Sequence, residues 1–66
     1  MKIIVNGEPH ETPAGLTLAE LVARRLASDR GVAAAVDGEV APRTTWAAVI
    51  LHEGQAVELL TAVQGG

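Results

Sequence analysis

The segment LTLAELVARRL, residues 16–26, decides the fold, because it is the best-marked helix of the chain. Thr17 and Glu20 are spaced as the N-cap and N3 residues of a capping box, in which each side chain accepts the other residue's backbone N–H. The pattern predicts one helix over residues 17–29, with Gly31 as its C-terminal stop. Its apolar positions fall on one helical face: Leu18, Leu21, Val22 and Leu26.

A β-hairpin is predicted before this helix. The β-branched run at residues 3–5 ends at Asn6-Gly7, a dipeptide typical of the type I′ hairpin turn. The returning strand would cover residues 8–12. Because side chains alternate along a strand, we expect Ile3 and Val5 to face the core.

Further strands are predicted after the helix. Residues 32–36 form an apolar run that we interpret as a buried strand, and Asp37-Gly38 then predicts a turn into a short strand at residues 39–41. Residues 42–51 are interpreted as a turn or single helical turn followed by irregular chain. An alternating pattern over residues 57–62 predicts the last strand.

These elements predict an α+β fold of the β-grasp type. A right-handed crossover lays the helix across one face of a mixed four- to five-stranded sheet. The first and last strands would be parallel neighbours in the middle of that sheet. We expect one domain over residues 1–62 and a flexible C-terminal tail over residues 63–66.

Composition limits the function. The chain has 66 residues, 48% of them hydrophobic, a net charge of −3 and no cysteine. No disulfide or thiolate metal site can therefore stabilise it, and the acidic balance argues against nonspecific nucleic-acid binding. No apolar run approaches the length of a membrane span or a signal peptide. We expect a cytoplasmic protein with no nucleic-acid and no membrane partner.

The sequence ends in Val63-Gln64-Gly65-Gly66. Since glycine has no Cβ and moves freely in φ and ψ, such an end can enter a narrow channel and expose its last carbonyl. This pattern predicts that the Gly66 carboxylate is the reactive group and that Gly65 provides clearance. The five residues from Thr61 to Gly66 reach about 16–18 Å when fully extended. The alternative is an incidental end, because chain termini fray and small residues are common there.

Nothing in the sequence indicates catalysis by this chain. Nucleophilic catalysis needs a Ser or Cys beside a base, but Ser28 has no histidine near it in sequence. His10 and His52 are isolated and lack the spacing of metal ligands, so we expect both at the surface and no metal site. The glycines are separate turn residues rather than a phosphate loop. The chain is predicted to be a carrier and a substrate, not an enzyme.

A docking surface is predicted on the sheet face opposite the helix. Alternation places Ile4, Leu60 and Ala62 on that face, with Glu58 among them. Val63 and Gln64 of the tail would complete the partner-binding residues. The alternative is that a few apolar residues on an outer face are ordinary.

Two further side chains have open interpretations. Arg43 either pairs with an acidic partner protein or is solvated. Trp46, the single aromatic residue, is interpreted as a packed lid over the core edge rather than as a contact residue.

Five segments resemble the ThiS family, the ubiquitin-like sulfur carriers of thiamin biosynthesis within the ThiS/MoaD group. They are Ile3–Gly7, Thr17–Val22, Val40–Trp46, Glu53–Gln55 and Val63–Gly66. Val40–Trp46 resembles the family's V-x-P-R-x-x-W segment, and this part favours ThiS over molybdopterin-type carriers. The terminal Gly-Gly alone does not separate these groups.

The resemblance implies a reaction sequence in which Gly66 is modified. An E1-like adenylating enzyme of the ThiF type would use Mg-ATP to join the Gly66 carboxylate to AMP, and a persulfide sulfur would displace AMP to give a thiocarboxylate. A cysteine desulfurase or another sulfur source would supply the sulfur. A thiazole synthase of the ThiG type would receive it, and the carrier itself would bind no cofactor. Alternatives are a like carrier for molybdopterin or cysteine synthesis, or a β-grasp interaction module.

Overall fold

The computed structural model describes residues 1–62. The predicted tail, and with it the roles of Val63, Gln64, Gly65 and Gly66, lies outside the described residues. The elements are β1 Lys2–Val5, β2 Glu8–Glu11, α1 Leu18–Arg25, β3 Val32–Val36, β4 Glu39–Ala41, a 3₁₀ helix Arg43–Ala48 and β5 Ala56–Thr61.

The strands form one mixed sheet in the order β2-β1-β5-β3-β4. β1 and β5 are parallel, with Ile4 opposite Ala56 and Val5 opposite Val57. The other neighbours are antiparallel. The predicted mixed sheet, with its first and last strands as parallel neighbours, is therefore confirmed, and β5 is the central strand.

The start of α1 follows the prediction. The Thr17 hydroxyl accepts the backbone N–H of Glu20 at 3.1 Å, and a Glu20 carboxylate oxygen accepts the backbone N–H of Thr17 at 2.9 Å. The backbone N–H and the hydroxyl of Thr17 lower the pKa of the Glu20 carboxyl from its usual range, because both hydrogen bonds stabilise the ionised form. The capping box thus fixes both the first turn of the helix and the charge of Glu20.

The predicted end of the helix is wrong. The helix stops at Arg25, four residues early, because Leu26 is extended with φ −130° and ψ 144°. Beyond it the Ser28 hydroxyl accepts the backbone N–H of Arg30 at 3.1 Å. Ser and Asp side chains offer the backbone local hydrogen bonds that compete with the helical ones. Gly31, with φ +70°, lies in the turn that enters β3 and is not the helix stop.

Both predicted hairpin turns are confirmed. Asn6 and Gly7 have φ values of 50° and 82°, and Asp37 and Gly38 have 50° and 84°. Positive φ at both central residues is the mark of a type I′ turn. The two turns set the registers of β1 with β2 and of β3 with β4.

The side chains that open these turns also hold the central strand. The Asn6 Oδ1 atom accepts the backbone N–H of Leu59, and the Asp37 Oδ1 atom accepts that of Ala56, each at 2.9 Å. The second oxygen of Asp37 accepts the side-chain N–H of Gln55 at 3.1 Å. β5 is therefore fixed on both sides by side chains as well as by neighbouring strands.

The core lies between α1 and one face of the sheet, here called the inner face. Its members are buried aliphatic residues and one indole: Ile3, Val5, Leu16, Leu18, Leu21, Val22, Ala34, Trp46, Leu51, Val57 and Leu59. Trp46 is buried as predicted, and its Nε1–H donates to the Ala41 carbonyl at 2.7 Å. β3 differs from the prediction of a buried strand, since only Ala34 of its five residues is buried.

Candidate functional site

The candidate site is the opposite side of the sheet, here called the outer face, which no helix of residues 1–62 covers. Strand alternation and register place ten strand side chains on it: Lys2, Ile4, Pro9, Glu11, Ala33, Ala35, Val40, Ala56, Glu58 and Leu60. Seven of the ten are apolar, and the charged ones are Lys2, Glu11 and Glu58. Contiguous exposed apolar surface of this kind is typical of a protein-interaction site.

The structure brings three of the predicted docking residues onto this face. Leu60 is 71% exposed, Glu58 is exposed and Ile4 is half-buried. Ala62, which is also exposed, follows β5 directly, and its backbone N–H donates to the Gly31 carbonyl at 2.7 Å. Their role in binding a partner stays a prediction.

Sequence reasoning missed the other half of the surface, which lies on β3 and β4. Val40 is 78% exposed, and it stands opposite Ala35, which in turn stands opposite Glu58. The signal was present in the Asp37-Gly38 turn, because a type I′ turn fixes the register and therefore puts Ala35 and Val40 on one face.

A shallow groove runs along this part of the outer face. It has a volume of about 90 Å³, and its lining residues are Ala33, Ala34, Ala35, Val40, Glu58 and Leu60. The alanines of β3 form the floor, because they are shorter than the side chains on the strands beside them. Val40 forms one wall, and Glu58 with Leu60 forms the other.

The charges near the groove are few. Within residues 1–62 the Glu58 carboxylate has no ion-pair or hydrogen-bond partner. The other charged side chains on the outer face, Lys2 and Glu11, stand opposite each other on β1 and β2. In the parallel pairing of β1 with β5, Lys2 and Glu58 are offset by four residues, which separates them by about 13 Å along the strand direction. The negative charge of Glu58 is thus isolated in apolar surroundings.

Both interpretations of Arg43 stay open. Its Nε atom lies 3.2 Å from a carboxylate oxygen of Asp29, and its side chain remains 60% exposed, so this surface pair leaves Arg43 largely solvated. The pair ties the 3₁₀ helix to the loop after α1. It also lies beside a second cleft of about 220 Å³ between the end of α1 and Trp46, whose lining includes Asp29 and Leu26.

The polar residues considered for catalysis do not form a centre. His52 is exposed, whereas His10 is half-buried, with its Nε2 atom 3.4 Å from Arg25 and 3.9 Å from Glu8. The described part of the chain contains no cluster of three potential metal ligands. It also contains no helix with the length and apolar character needed to cross a membrane.

Comparisons with known proteins agree on one family. The family model of the ThiS family matches residues 3–66. The sulfur carrier protein ThiS of Escherichia coli is 30% identical over 66 residues, the full length of both chains. The crystal structure of the thiamine biosynthesis protein ThiS from Geobacter metallireducens superposes with a TM-score of 0.84 at 33% identity, and the match covers both chains completely.

Two longer proteins contain a similar segment. Thiazole synthases of Magnetococcus marinus and Paramagnetospirillum magneticum are 38% and 29% identical to this chain over 66 residues. The chain spans 20% of the length of each. In these proteins a segment like this chain and a synthase are parts of one polypeptide.

Proposed function

This chain belongs to the ThiS family, and on that premise we propose that it is a sulfur carrier of thiamin biosynthesis whose Gly66 carboxylate bears the sulfur. The observation that carries the proposal is the extent of the family match, which covers residues 3–66 and includes Gly65 and Gly66. Membership in the family and the name of the Escherichia coli relative support a carrier protein rather than an enzyme.

The proposed chemistry begins with activation, because a carboxylate is a poor acyl donor. An adenylating enzyme of the ThiF type, using Mg-ATP, joins the Gly66 carboxylate to AMP and releases pyrophosphate. The terminal sulfur of a protein persulfide attacks the acyl carbon and AMP leaves. A thiol then cleaves the sulfur–sulfur bond, which frees the thiocarboxylate and leaves a disulfide. The persulfide comes from a cysteine desulfurase or another sulfur source.

The small size of the last two residues supports this use. A side chain at Gly65 would widen the segment next to the reacting carbonyl, whereas glycine lets it pass through a narrow channel. Ala62 is anchored to Gly31 by a backbone hydrogen bond of 2.7 Å. From that anchor, four residues reach at most about 14 Å. Gly66 can therefore enter an active site only when the folded body lies against the partner's surface.

The outer face is the proposed contact surface of that body. Ile4 on β1 and Leu60 on the central strand β5 supply apolar area, and Ala62 directly follows β5. Burial of such area is favourable at roughly 25 cal/mol per Å² before the costs of association. Val63 and Gln64 extend the proposed contact toward the partner's channel.

The thiazole synthase is the partner for which the relatives supply support. Two synthases carry a ThiS-like segment within their own chains, and we propose that the present chain engages a synthase of the ThiG type. The synthase would take the sulfur from the Gly66 thiocarboxylate for the thiazole phosphate ring of thiamin.

Mass spectrometry of the intact protein tests the chemistry. After incubation with the cognate adenylating enzyme, Mg-ATP and a persulfide donor, the parent chain should gain the mass that results when one sulfur replaces one oxygen at the C-terminus. A chain that lacks Gly66 should gain none, and Gly65→Ala should react more slowly while keeping its thermal unfolding midpoint. A parent chain of unchanged mass would overturn the proposal.

Growth rescue tests the pathway. A thiamin-requiring strain that lacks its own carrier should grow without thiamin when this chain is expressed, and the variant without Gly66 should not restore growth. Sulfur exchange without rescue would instead indicate a carrier for molybdopterin or cysteine synthesis. If neither sulfur exchange nor growth rescue is observed, the remaining interpretation is a β-grasp interaction module.

A further inference from the structure

We propose that the groove between β4 and β5 receives an aliphatic side chain of the thiazole synthase, and that Glu58 pairs with a Lys or Arg of the synthase beside that side chain. This inference deepens the proposed function and rests on it. It assigns Glu58 as the residue that selects the partner's surface, a role separate from the apolar contact made by Ile4 and Leu60.

The dimensions of the groove fit one side chain. Ala35 lies between Glu58 and Val40 in the strand register, and strands two apart in a sheet are about 10 Å from each other. The volume of about 90 Å³ is far below the several hundred Å³ of a typical cofactor pocket. The lining is apolar except for Glu58. Burial of an aliphatic side chain in the groove therefore costs less desolvation free energy than burial of a polar one.

The position of the groove points to the partner that handles Gly66. Leu60, at one wall, precedes Ala62 by two residues, and no more than about 14 Å of chain lies between Ala62 and the reactive end. A protein that draws Gly66 into a channel therefore has its own surface next to this end of β5. The same approach covers the groove and removes water from it.

Glu58 then makes the docking selective. In the free protein its carboxylate is exposed and solvated, so its charge has little effect on the free energy of folding. When an apolar partner surface covers it, an unpaired carboxylate loses its water and opposes binding. A partner that presents a cation at this point avoids that penalty, whereas a neutral or acidic surface does not.

Binding measurements with the purified cognate thiazole synthase test the proposal. Glu58→Lys should weaken binding about tenfold or more, and Glu58→Gln should weaken it by a smaller factor, because the first places two cations together and the second only removes the pairing. Ala35→Leu, which fills the groove, should also weaken binding. All three changes are at the outer face, so thermal unfolding midpoints should stay near that of the parent.

Glu11→Lys is the matched control, since it makes the same change of charge on the outer face at the far edge strand. It should bind nearly as the parent does. Equal weakening by Glu11→Lys and Glu58→Lys would overturn the pairing in favour of a general effect of net charge. Unchanged binding of Glu58→Lys would overturn it outright. Failure of the parent chain to bind the synthase would instead overturn the proposed function together with this inference.

Discussion

The two faces of the sheet use neighbouring residues for different purposes. Ile3 is fully buried and Ile4 is half-buried, although they are adjacent and chemically identical; Leu59 is 7% exposed and Leu60 is 71% exposed. The inner face carries large aliphatic side chains beneath the helix, whereas the outer face carries alanines, a few exposed aliphatic groups and Glu58. The inner face therefore holds the fold together, and the outer face is the proposed contact surface for other proteins.

The largest effect is expected from the isoleucine pair. Ile3→Ala removes three side-chain carbons from a site with no exposure and should cost about 2–5 kcal/mol in the free energy of unfolding. Ile4→Ala should cost about 1 kcal/mol, because half-burial has less transfer free energy to lose. Urea denaturation of both variants measures the difference. Equal losses in the free energy of unfolding would show that residues on the two faces contribute equally to stability.

The next largest effect on stability is expected at Asp37, the turn residue after β3 whose side chain accepts a hydrogen bond from β5. Asp37→Ala removes the acceptors of the Ala56 and Gln55 N–H groups and puts alanine at a φ of +50°, which should cost about 1–2 kcal/mol. Asp37→Asn is the matched control, since asparagine tolerates this φ and keeps an acceptor oxygen for Ala56. Thermal and urea unfolding should rank the parent and Asp37→Asn close together and Asp37→Ala below both.

A smaller effect is expected on the outer face itself. Leu60→Thr replaces an exposed aliphatic group with a residue that favours strands, and it should change the free energy of unfolding by less than about 0.5 kcal/mol. The same variant should bind the thiazole synthase more weakly than the parent. A clear loss of stability would mean that Leu60 belongs to the core, and the comparison of the two faces would fail.

The smallest effect is a pH dependence at the helix start. Because the Glu20 pKa is lowered in the folded protein, its contribution to stability is fully present above its ordinary pKa near 4.5 and is lost as pH falls through the lowered value. Glu20→Gln keeps a side-chain acceptor for the Thr17 N–H without this titration. Unfolding midpoints compared between about pH 6 and about pH 3 should therefore fall slightly less in the variant than in the parent.

The sequence predicts those parts of the fold that local chemistry determines. The capping box at Thr17 and Glu20 marks the helix start, and Asn6-Gly7 and Asp37-Gly38 mark the two type I′ turns, because each depends on residues close in sequence. Alternation along β1 and β5 then assigns Ile3 to the core and Ile4 to the outer face.

The parts that sequence reasoning missed depend on contacts between distant segments. Asp29 meets Arg43 only after the 3₁₀ helix folds back toward the end of α1, so this pair does not follow from the local pattern. The groove likewise needs three strands side by side. The alanines of β3 suggest a buried strand, and only the register with Val40 and Glu58 shows that two of them face outward.

The parallel pairing of β1 and β5 has a mechanical consequence. The chain enters the sheet at Lys2 and leaves it at Thr61, and these points lie at opposite ends of two neighbouring parallel strands. A force that pulls them apart loads the hydrogen bonds between the strands in shear, so that they resist together instead of opening one after another. Tension between the two ends of the chain therefore loads this pair of strands in shear, which would protect the domain if, as proposed, its last residue is drawn into another protein.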